Sequence, residues 1–440
     1  MTAQRQSTTS LDTPVFAVPD EALVSVNNYP STQLDIPPSK MFIIKKSLDV
    51  YKAKYGTDAP TFDASQGDGG ASLPGVPKAL LDRAHEMQKE HGTGYDFGYG
   101  TDNFRKMTAE KYWQLDASTG YGPANIVATD GGRDGLLKAY QAMTTLGTGR
   151  VGDAILVSRV PWISYSWGPY GIGQNVLLAP GQEDSAWQYT EDGLAASVDF
   201  CAKNGGRKIA GVVITSPDNP TGRTLSMQRQ IELAHKALDL GIPFVLFDWI
   251  YHWVTDGSPA NINEVLNAFS VEERKKLIFL DGLTKSLGAS NIRAAHLVAS
   301  TDVCKFIVSR ASHGVLPNFY GQAVAMAAYE QGFGVAAAPI IEPTNASRKI
   351  IRKFLQDKGY QHILGDGYYA FINCTEAIER GGKASSDDFG AYIAENFGLA
   401  VIPGIHFSEA GKNWIRFSYA LPPEKTEKAI IRFDEAYKSL

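Results

Sequence analysis

Residues 209–251, IAGVVITSPDNPTGRTLSMQRQIELAHKALDLGIPFVLFDWIY, contain two short apolar runs on either side of one amphipathic stretch. The runs IAGVVIT and PFVLF are rich in β-branched and aromatic residues, which predicts two buried strands. Between them, Ile231, Ala234 and Leu238 recur at helical spacing, so a helix that ends near Gly241 is predicted. A strand, a helix and a second strand in this order form the unit of a parallel sheet.

The same alternation extends over residues 125–300, where the further apolar runs are NIVAT, DAILVS, KLIFLD and AHLVAS. We therefore expect an α/β fold with a mostly parallel sheet that helices cover on both sides. After about residue 310 the helices become longer, and the runs GYYAFINC, LAVIPGIHF and WIRFSYAL predict a smaller α+β lobe whose strands pair among themselves. The first 35 or so residues are rich in Ser, Thr, Pro and Asn, which predicts an arm that lies on a neighbour or is disordered.

The bulk properties are those of an ordinary globular protein, with 440 residues, 44% hydrophobic and 20% charged. A formal net charge of −5 gives no reason to expect nucleic acid or an anionic membrane as a partner. Cys201, Cys304 and Cys374 show no metal-ligand spacing, which predicts reduced thiols and no metal site. No stretch approaches 18 apolar residues and the N-terminus lacks the apolar core of a signal peptide, so a cytoplasmic protein is predicted.

Polar side chains directly follow three consecutive apolar runs. Asn219 follows IAGVVIT, Asp248 and Tyr251 follow PFVLF, and Lys285 follows KLIFLD. Because ligands of α/β sheets bind at the carboxyl ends of the strands, we expect these side chains to share one site.

An anion-binding element is predicted in ATDGGRDGLLKAYQAM, where two glycines precede a helix. The backbone N–H groups of Gly132, Arg133 and Asp134 can face an anion, with the helix dipole behind them. Arg293 can add a bidentate guanidinium. No G-x-G-x-x-G follows a strand, which counts against a nicotinamide enzyme.

From about Pro38 onward, the order and spacing of these motifs resemble the fold-type I pyridoxal-phosphate enzymes of the class I and II aminotransferase family. The matching motifs are Asn-Pro-x-Gly, Asp-x-x-Tyr, a lysine followed eight residues later by an arginine, and the late arginine in WIRFSYA. The resemblance implies a large domain with a seven-stranded sheet over residues 75–310. It also implies a smaller α+β domain from residues 37–74 and 311–440, and an N-terminal arm of residues 1–36.

The resemblance assigns the central roles to four residues. Lys285 would form a Schiff base with pyridoxal 5'-phosphate and later move the proton on the substrate Cα. Asp248 would hold the pyridine nitrogen protonated. Tyr251 and Asn219 would donate hydrogen bonds to the phenolic oxygen of the cofactor.

The remaining roles concern the ring, the phosphate and the substrate. The resemblance implies that Trp162 stacks on the pyridine ring, and Tyr165 could reach Asp248. It also implies a phosphate site and a carboxylate site, and a homodimer whose subunits share their active sites. The residues for these roles are Gly132, Arg133, Asp134 and Arg293 on the phosphate, Tyr95 on the phosphate of the partner subunit, and Arg416 with Gly67 and Asn219 on the substrate carboxylate.

The predicted function is an aminotransferase that acts on an amino acid and a 2-oxo acid through a Lys285 Schiff base. The chain departs from the family pattern at Trp249, His252 and Ala295, and the aromatic substitutions near Asp248 favour a larger or unusual substrate. One alternative is a pyridoxal-phosphate enzyme that does not transaminate, through elimination or replacement on S-adenosylmethionine, as in relatives of aminocyclopropane-carboxylate synthase, or through amino acid oxidation or cyclisation. A more remote alternative is an aminotransferase-like regulatory domain.

Overall fold

The computed structural model describes residues 11–25, 36–37 and 44–440. The helices are α1 Ile44–Tyr55, α2 Gly69–Ser72, α3 Lys78–His91, α4 Asp102–Met107, α5 Gly132–Ala142, α6 Ile163–Gly171, α7 Glu191–Lys203, α8 Met227–Asp239, α9 Ile262–Ala268, α10 Val271–Arg274, α11 Leu283–Ser286, α12 Thr301–Ala311, α13 Phe319–Gln331, α14 Phe333–Lys358, α15 Thr375–Arg380, α16 Ser386–Phe397 and α17 Pro423–Lys438. The strands are β1 Val15–Phe16, β2 Phe62–Asp63, β3 Ile126–Thr129, β4 Ala154–Val157, β5 Asn175–Leu178, β6 Ile209–Thr215, β7 Val245–Asp248, β8 Leu277–Gly282, β9 Ala295–Val298, β10 His362–Leu364, β11 Tyr369–Asn373, β12 Leu399–Ala400, β13 Ile402–Pro403 and β14 Trp414–Ser418.

The large sheet confirms the predicted α/β fold. Its strand order is β1-β5-β4-β6-β7-β8-β9-β3. The strands from β5 to β8 in this order run parallel, and β9 is antiparallel to both of its neighbours. The strand β5 was not among the predicted apolar runs, because NVLL is short and stands among Gly, Gln and Pro. With it the sheet has the seven expected strands, and β1 adds an eighth.

The core lies on both faces of this sheet, since neighbouring residues of a strand point in opposite directions. In β7, Leu246 packs into a cluster with Leu136 of α5 and Ile307 of α12. The next residue, Phe247, packs into a second cluster on the other face, with side chains of α3, α8 and α13. Burial on both faces explains why the predicted strands are continuously apolar rather than alternating.

The N-terminal residues that the structure describes differ from the prediction. Residues 15–16 pair antiparallel with β5 of the same chain. Phe16, Val18 and Val24 are buried, and Asn175 of β5 exchanges hydrogen bonds with the backbone of Val24. The expectation of an arm that lies on a neighbour or is disordered is therefore wrong for residues 11–25, because apolar side chains in this polar stretch fit the edge of the chain's own sheet.

The smaller lobe has its own sheet, as predicted. Its strands are antiparallel in the order β10-β11-β14-β13, and β2 pairs with β12 separately. The helix α13 packs against α3 and contributes most of its residues to the core of the large sheet. The division into domains remains a prediction, and this packing favours a boundary that lies later than residue 310.

Among the described helices, none is by itself long and apolar enough to cross a membrane. Taken as a pair, α13 and α14 satisfy length and composition limits, but they bend by 96° at the residue that joins them.

Candidate active site

The ends of β6, β7 and β8 open into a cavity of about 510 Å³. Nine of the twelve predicted site residues line it, although the first and the last of them, Gly67 and Arg293, lie far apart in the sequence. These nine residues are Gly67, Gly132, Arg133, Trp162, Asn219, Asp248, Tyr251, Lys285 and Arg293.

Asp248 is the last residue of β7 and is 3% exposed. Its Oδ2 accepts a hydrogen bond of 2.6 Å from the hydroxyl of Tyr165, and its Oδ1 accepts one of 3.2 Å from the backbone N–H of Ile250. Burial raises the pKa of Asp248 to about 6, although these two hydrogen bonds favour the anion. The side chain is therefore a buried carboxylate that a cation in the cavity would stabilise.

Lys285 belongs to the short helix α11, which begins directly after β8. Its Nζ donates a hydrogen bond to the backbone oxygen of Gly67, and its own backbone oxygen accepts one of 2.5 Å from the hydroxyl of Tyr368. Burial lowers the pKa of Lys285 to about 8, and the charges of Arg416 and Arg133 act in the same direction. A lysine that loses its proton near neutral pH can act as a nucleophile and as a base.

An anion site lies at the N-terminus of α5. The backbone N–H groups of Gly132, Arg133 and Asp134 belong to the first turn of this helix, where no acceptor lies within the helix. The guanidinium of Arg293 lies against Gly131, since a Cβ added to Gly131 would be 2.2 Å from Arg293 Nη2. Arg293 Nη1 also donates to Ser290 O at 2.8 Å. This arrangement offers the donors that an anion such as phosphate needs.

The backbone of Arg293 has a φ of 59°, in the left-handed region that favours glycine. For an ordinary L-residue this conformation costs about 1–2 kcal/mol. Within this loop, the backbone turns so that the guanidinium reaches Asp130 O at 3.2 Å and faces the anion site. The strain therefore coincides with a positioned functional group.

Trp162 and Arg133 form the wall beside the anion site. The guanidinium carbon of Arg133 lies 5.5 Å from the centroid of the Trp162 ring. Burial and the charge of Arg293 lower the pKa of Arg133, so two guanidinium groups share this end of the cavity. The positive charge of the two groups complements a dianion such as phosphate.

Tyr251 and Tyr369 join the two lobes at the cavity. Their hydroxyls are 2.7 Å apart, and both residues are buried. The Tyr369 ring lies 4.3 Å from the guanidinium carbon of Arg416. Arg416 itself donates to Asn219 Oδ1 at 2.8 Å and to Ser65 O at 2.6 Å.

Three predicted site residues do not line the cavity. Arg416 has no exposed surface and stands behind Asn219 and Tyr369, while its Nε is buried without a hydrogen-bond partner among the described atoms. The carboxylate of Asp134 points back to Asp130 N and to Lys138 Nζ, so only its backbone faces the anion site. Tyr95 is 99% exposed, on a surface away from the cavity.

Trp249 and His252 do not line the cavity, so these departures from the family pattern give no support for a larger or unusual substrate. Trp249 is fully buried, and its Nε1 donates to Gln230 Oε1 at 2.8 Å. His252 Nε2 lies 2.7 Å from Asp281 Oδ2, in the core of the large lobe. Both side chains leave the turn after Asp248 on the side away from the cavity, because Ile250 and Tyr251 take the positions that face it.

Sequence reasoning missed Tyr368 and Tyr369, which the strand motif GYYAFINC contains. Tyr369 packs so closely on Gly67 that an added Cβ there would be 1.6 Å from its hydroxyl. The available signal was the pairing of β11 with β14, since Phe371 lies opposite Arg416 and Tyr369 lies two residues earlier on the same face. That signal requires the register, which the sequence does not contain.

The partly buried ammonium group of Lys285 predicts a pH-dependent stability of the ligand-free protein. Its pKa is about 8 in the folded chain and 10.5 in the reference state, so it opposes folding below pH 8 and ceases to do so as the pH rises to 10.5. Lys285→Met is therefore expected to raise the free energy of unfolding at pH 7 by roughly 1–3 kcal/mol. This advantage over the wild type should shrink steadily towards pH 10.5. Denaturant unfolding at several pH values measures this difference in the free energy of unfolding, and Lys276→Met, at an exposed position, is the control. A difference that grows with pH would contradict the prediction.

The chain is similar in sequence to a known protein family. The model of the family described as "Aminotransferase class I and II" matches residues 61–433. The chain is 24% identical over 363 residues to an aspartate aminotransferase of Bacillus subtilis, covering 81% of this chain and 87% of that protein. It is 23% identical to aromatic-amino-acid aminotransferase 2 of Thermococcus litoralis, covering 86% and 94%.

Solved structures show the same fold. An aminotransferase from Mycobacterium tuberculosis superposes with a TM-score of 0.78 at 19% identity, covering 94% of this chain and all of that one. Aspartate aminotransferase from Thermus thermophilus with maleate gives a TM-score of 0.77 at 19% identity, covering 92% and 99%.

Proposed function

Since this chain belongs to the class I and II aminotransferase family, whose model spans residues 61–433, we propose that it transfers an amino group between an amino acid and a 2-oxo acid. Members of the family use pyridoxal 5'-phosphate. One observation supports the proposal above the others. A lysine with a lowered pKa and a carboxylate with a raised pKa share one cavity with an anion site.

The described residues fit this cofactor at each of its groups. The first turn of α5 and Arg293 suit the phosphate, and the buried Asp248 suits a protonated ring nitrogen. Tyr251 and Asn219 offer hydrogen-bond donors between the phosphate site and Asp248, and Trp162 offers a flat apolar surface for the ring. When bound, pyridoxal phosphate supplies an aldehyde that condenses with amines and a ring that withdraws electrons from the substrate Cα.

The residues of the chain would position the reactants and move protons. Lys285 Nζ would hold the cofactor covalently until a substrate amine takes its place, and it would then carry a proton to and from the substrate Cα. Asp248 would keep the proton on the ring nitrogen, and the hydrogen bond from Tyr165 would fix the orientation of its carboxylate. The close packing of Tyr369 on Gly67 would limit the access of water.

The proposed reaction has a direct test in the half-reaction. The loaded enzyme, mixed with a panel of amino acids and no 2-oxo acid, should release one 2-oxo acid per site and leave pyridoxamine phosphate, which chromatography identifies. S-adenosylmethionine and arginine belong in the same panel, with methylthioadenosine, ammonia and oxygen uptake followed together. Release of methylthioadenosine or uptake of oxygen without pyridoxamine phosphate would contradict transamination.

Arg416 is proposed to bind the carboxylate that amino acids and 2-oxo acids share. Its unpaired Nε and the neighbouring Asn219 side chain, which lines the cavity, support this role. Arg416→Lys keeps the charge but loses the bidentate fork, so KM for both substrates should rise by on the order of 10- to 100-fold. Steady-state kinetics with the exposed Arg380→Lys as control measure the change, and an unchanged KM for both substrates would exclude Arg416 from binding.

We further propose that the enzyme is a cytoplasmic homodimer with shared active sites. Tyr95 and Phe97 are 99% and 87% exposed on one loop, which supports burial of this loop by a second copy. Cys201, Cys304 and Cys374 are buried free thiols, which supports a reducing compartment. Analytical ultracentrifugation at micromolar concentration tests the dimer, and a monomer would contradict it.

A further inference from the structure

A second cavity of about 290 Å³ lies between the helices α5 and α6. We name it the α5–α6 groove. Its lining residues recur at spacings of three and four along each helix, so each helix presents one face to it. They are Arg133, Leu136, Leu137 and Tyr140 on α5, and Ile163, Ser164, Trp167 and Gly168 on α6, with Pro37 at the rim.

The groove adjoins the cavity of the candidate active site. Arg133 and Leu136 line both spaces, so the two meet at these side chains. Arg133 is also the residue whose guanidinium lies over Trp162, beside the anion site. A substrate side chain that left the first cavity on this side would meet the groove behind Arg133 and Leu136.

The walls of the groove are mostly apolar. Leu136, Leu137, Tyr140 and Ile163 contribute aliphatic and aromatic surface, and no acidic residue is among the described lining residues. A cavity of roughly 150 Å³ with such walls accepts benzene in another protein, so this groove has room for a larger apolar group. A carboxylate in it would lose part of its hydration and would find one positive charge, that of Arg133, among the described lining residues, which is less favourable than burial of an apolar group.

We propose that the α5–α6 groove receives the side chain of the substrate, and that the preferred amino acids have long apolar side chains, aliphatic or aromatic. The inference rests on the proposed aminotransferase function, because it needs an amino acid in the first cavity. Short side chains, as in alanine, and acidic ones, as in glutamate, would stay in the first cavity.

Gly168 is the residue that keeps the groove open. A Cβ at this position would be 3.6 Å from Tyr140 Cε2 and 3.8 Å from Leu137 Cδ2, which are ordinary contact distances. Alanine therefore fits without a clash, whereas a longer side chain must project into the groove. Gly168 lies inside α6, away from the first cavity, so substitutions there change the groove and leave the catalytic residues in place.

The test is a series at this position. Gly168→Ala should change kcat/KM little, and Gly168→Leu should lower kcat/KM for phenylalanine and leucine at least about tenfold more than for alanine and glutamate. Leu137→Phe fills the groove from α5 and should act in the same direction if Gly168→Leu does not fold. Gly171→Leu is the matched control, because Gly171 lies on the same helix and is exposed, and its added Cβ would meet only Ile36 Cδ1 at 3.7 Å.

A binding measurement separates this inference from the proposed function. Calorimetry with 3-phenylpropionate and propionate measures binding without turnover. Gly168→Leu should weaken the binding of 3-phenylpropionate at least about tenfold more than the binding of propionate. If no amino acid reacts but this difference appears, the proposed function fails and the groove remains a binding site. Equal affinities in wild type and Gly168→Leu, or equal losses for alanine and phenylalanine, would overturn the inference.

Discussion

Replacing Lys285 with alanine is expected to lower turnover by at least about 10⁴-fold, the largest effect of any single substitution in the cavity. In the proposed reaction, the side-chain nitrogen of Lys285 both holds the cofactor and carries the proton of the substrate Cα. Its Nζ lies within the cavity and contacts the backbone oxygen of Gly67. No other described lysine lines this space. Single-turnover kinetics with saturating cofactor measure the loss.

The control for this substitution is Lys276→Ala. Lys276 is exposed to solvent and directly precedes β8, whereas Lys285 follows the other end of this strand. It should turn over like the wild type. Borohydride reduction of the loaded wild type, followed by peptide mass spectrometry, should place the pyridoxyl group on Lys285. An adduct on another lysine, or substantial turnover by Lys285→Ala, would be incompatible with the proposed role.

Asp248→Asn should lower kcat by roughly 10²- to 10⁴-fold while the cofactor still binds. Asparagine keeps the size of the side chain and can still bond to Tyr165, but it cannot balance a positive charge on the ring nitrogen. Binding should persist because the phosphate site at α5 and Arg293 is unaffected. Stopped-flow kinetics and cofactor titration separate the two effects.

Asp281→Asn provides a matched control for Asp248→Asn. Asp281 is also a buried carboxylate, on the neighbouring strand β8, but it accepts hydrogen bonds from Tyr112 and His252 and does not line the cavity. We expect this variant to have a lower melting temperature and turnover close to that of the wild type. Equal losses of kcat in both variants would mean that Asp248 acts through the stability of the sheet rather than on the ring.

Local sequence predicted the parts of the fold that depend on local chemistry. The strands β3, β4, β6, β7, β8 and β9 are continuous apolar runs because both faces of the sheet are covered. The glycines before α5 and the polar side chains after each strand could also be found from the sequence, since the start of a helix and the end of a strand carry recognisable residues. These features place Asp248, Lys285 and Arg293 in one cavity.

Features that depend on long-range packing could not be predicted in the same way. Ile250 and Tyr251 face the cavity, and only the structure shows that Trp249 and His252 face the core instead. Tyr369 reaches the site because β11 pairs with β14 in one register. The attachment of residues 15–16 to β5 depends on a free sheet edge, which no local motif records.

The left-handed backbone of Arg293 has a consequence for protein engineering. Glycine or asparagine at this position would relieve the strained backbone, since both tolerate a φ of 59° better than arginine does, but would lose the hydrogen bonds to Ser290 O and Asp130 O. A library sorted only for resistance to heat would therefore accept replacements here whenever the relief of strain exceeds the loss of these two hydrogen bonds. Its survivors would have lost the guanidinium beside Gly131, so thermal selection of this enzyme must be paired with selection for activity.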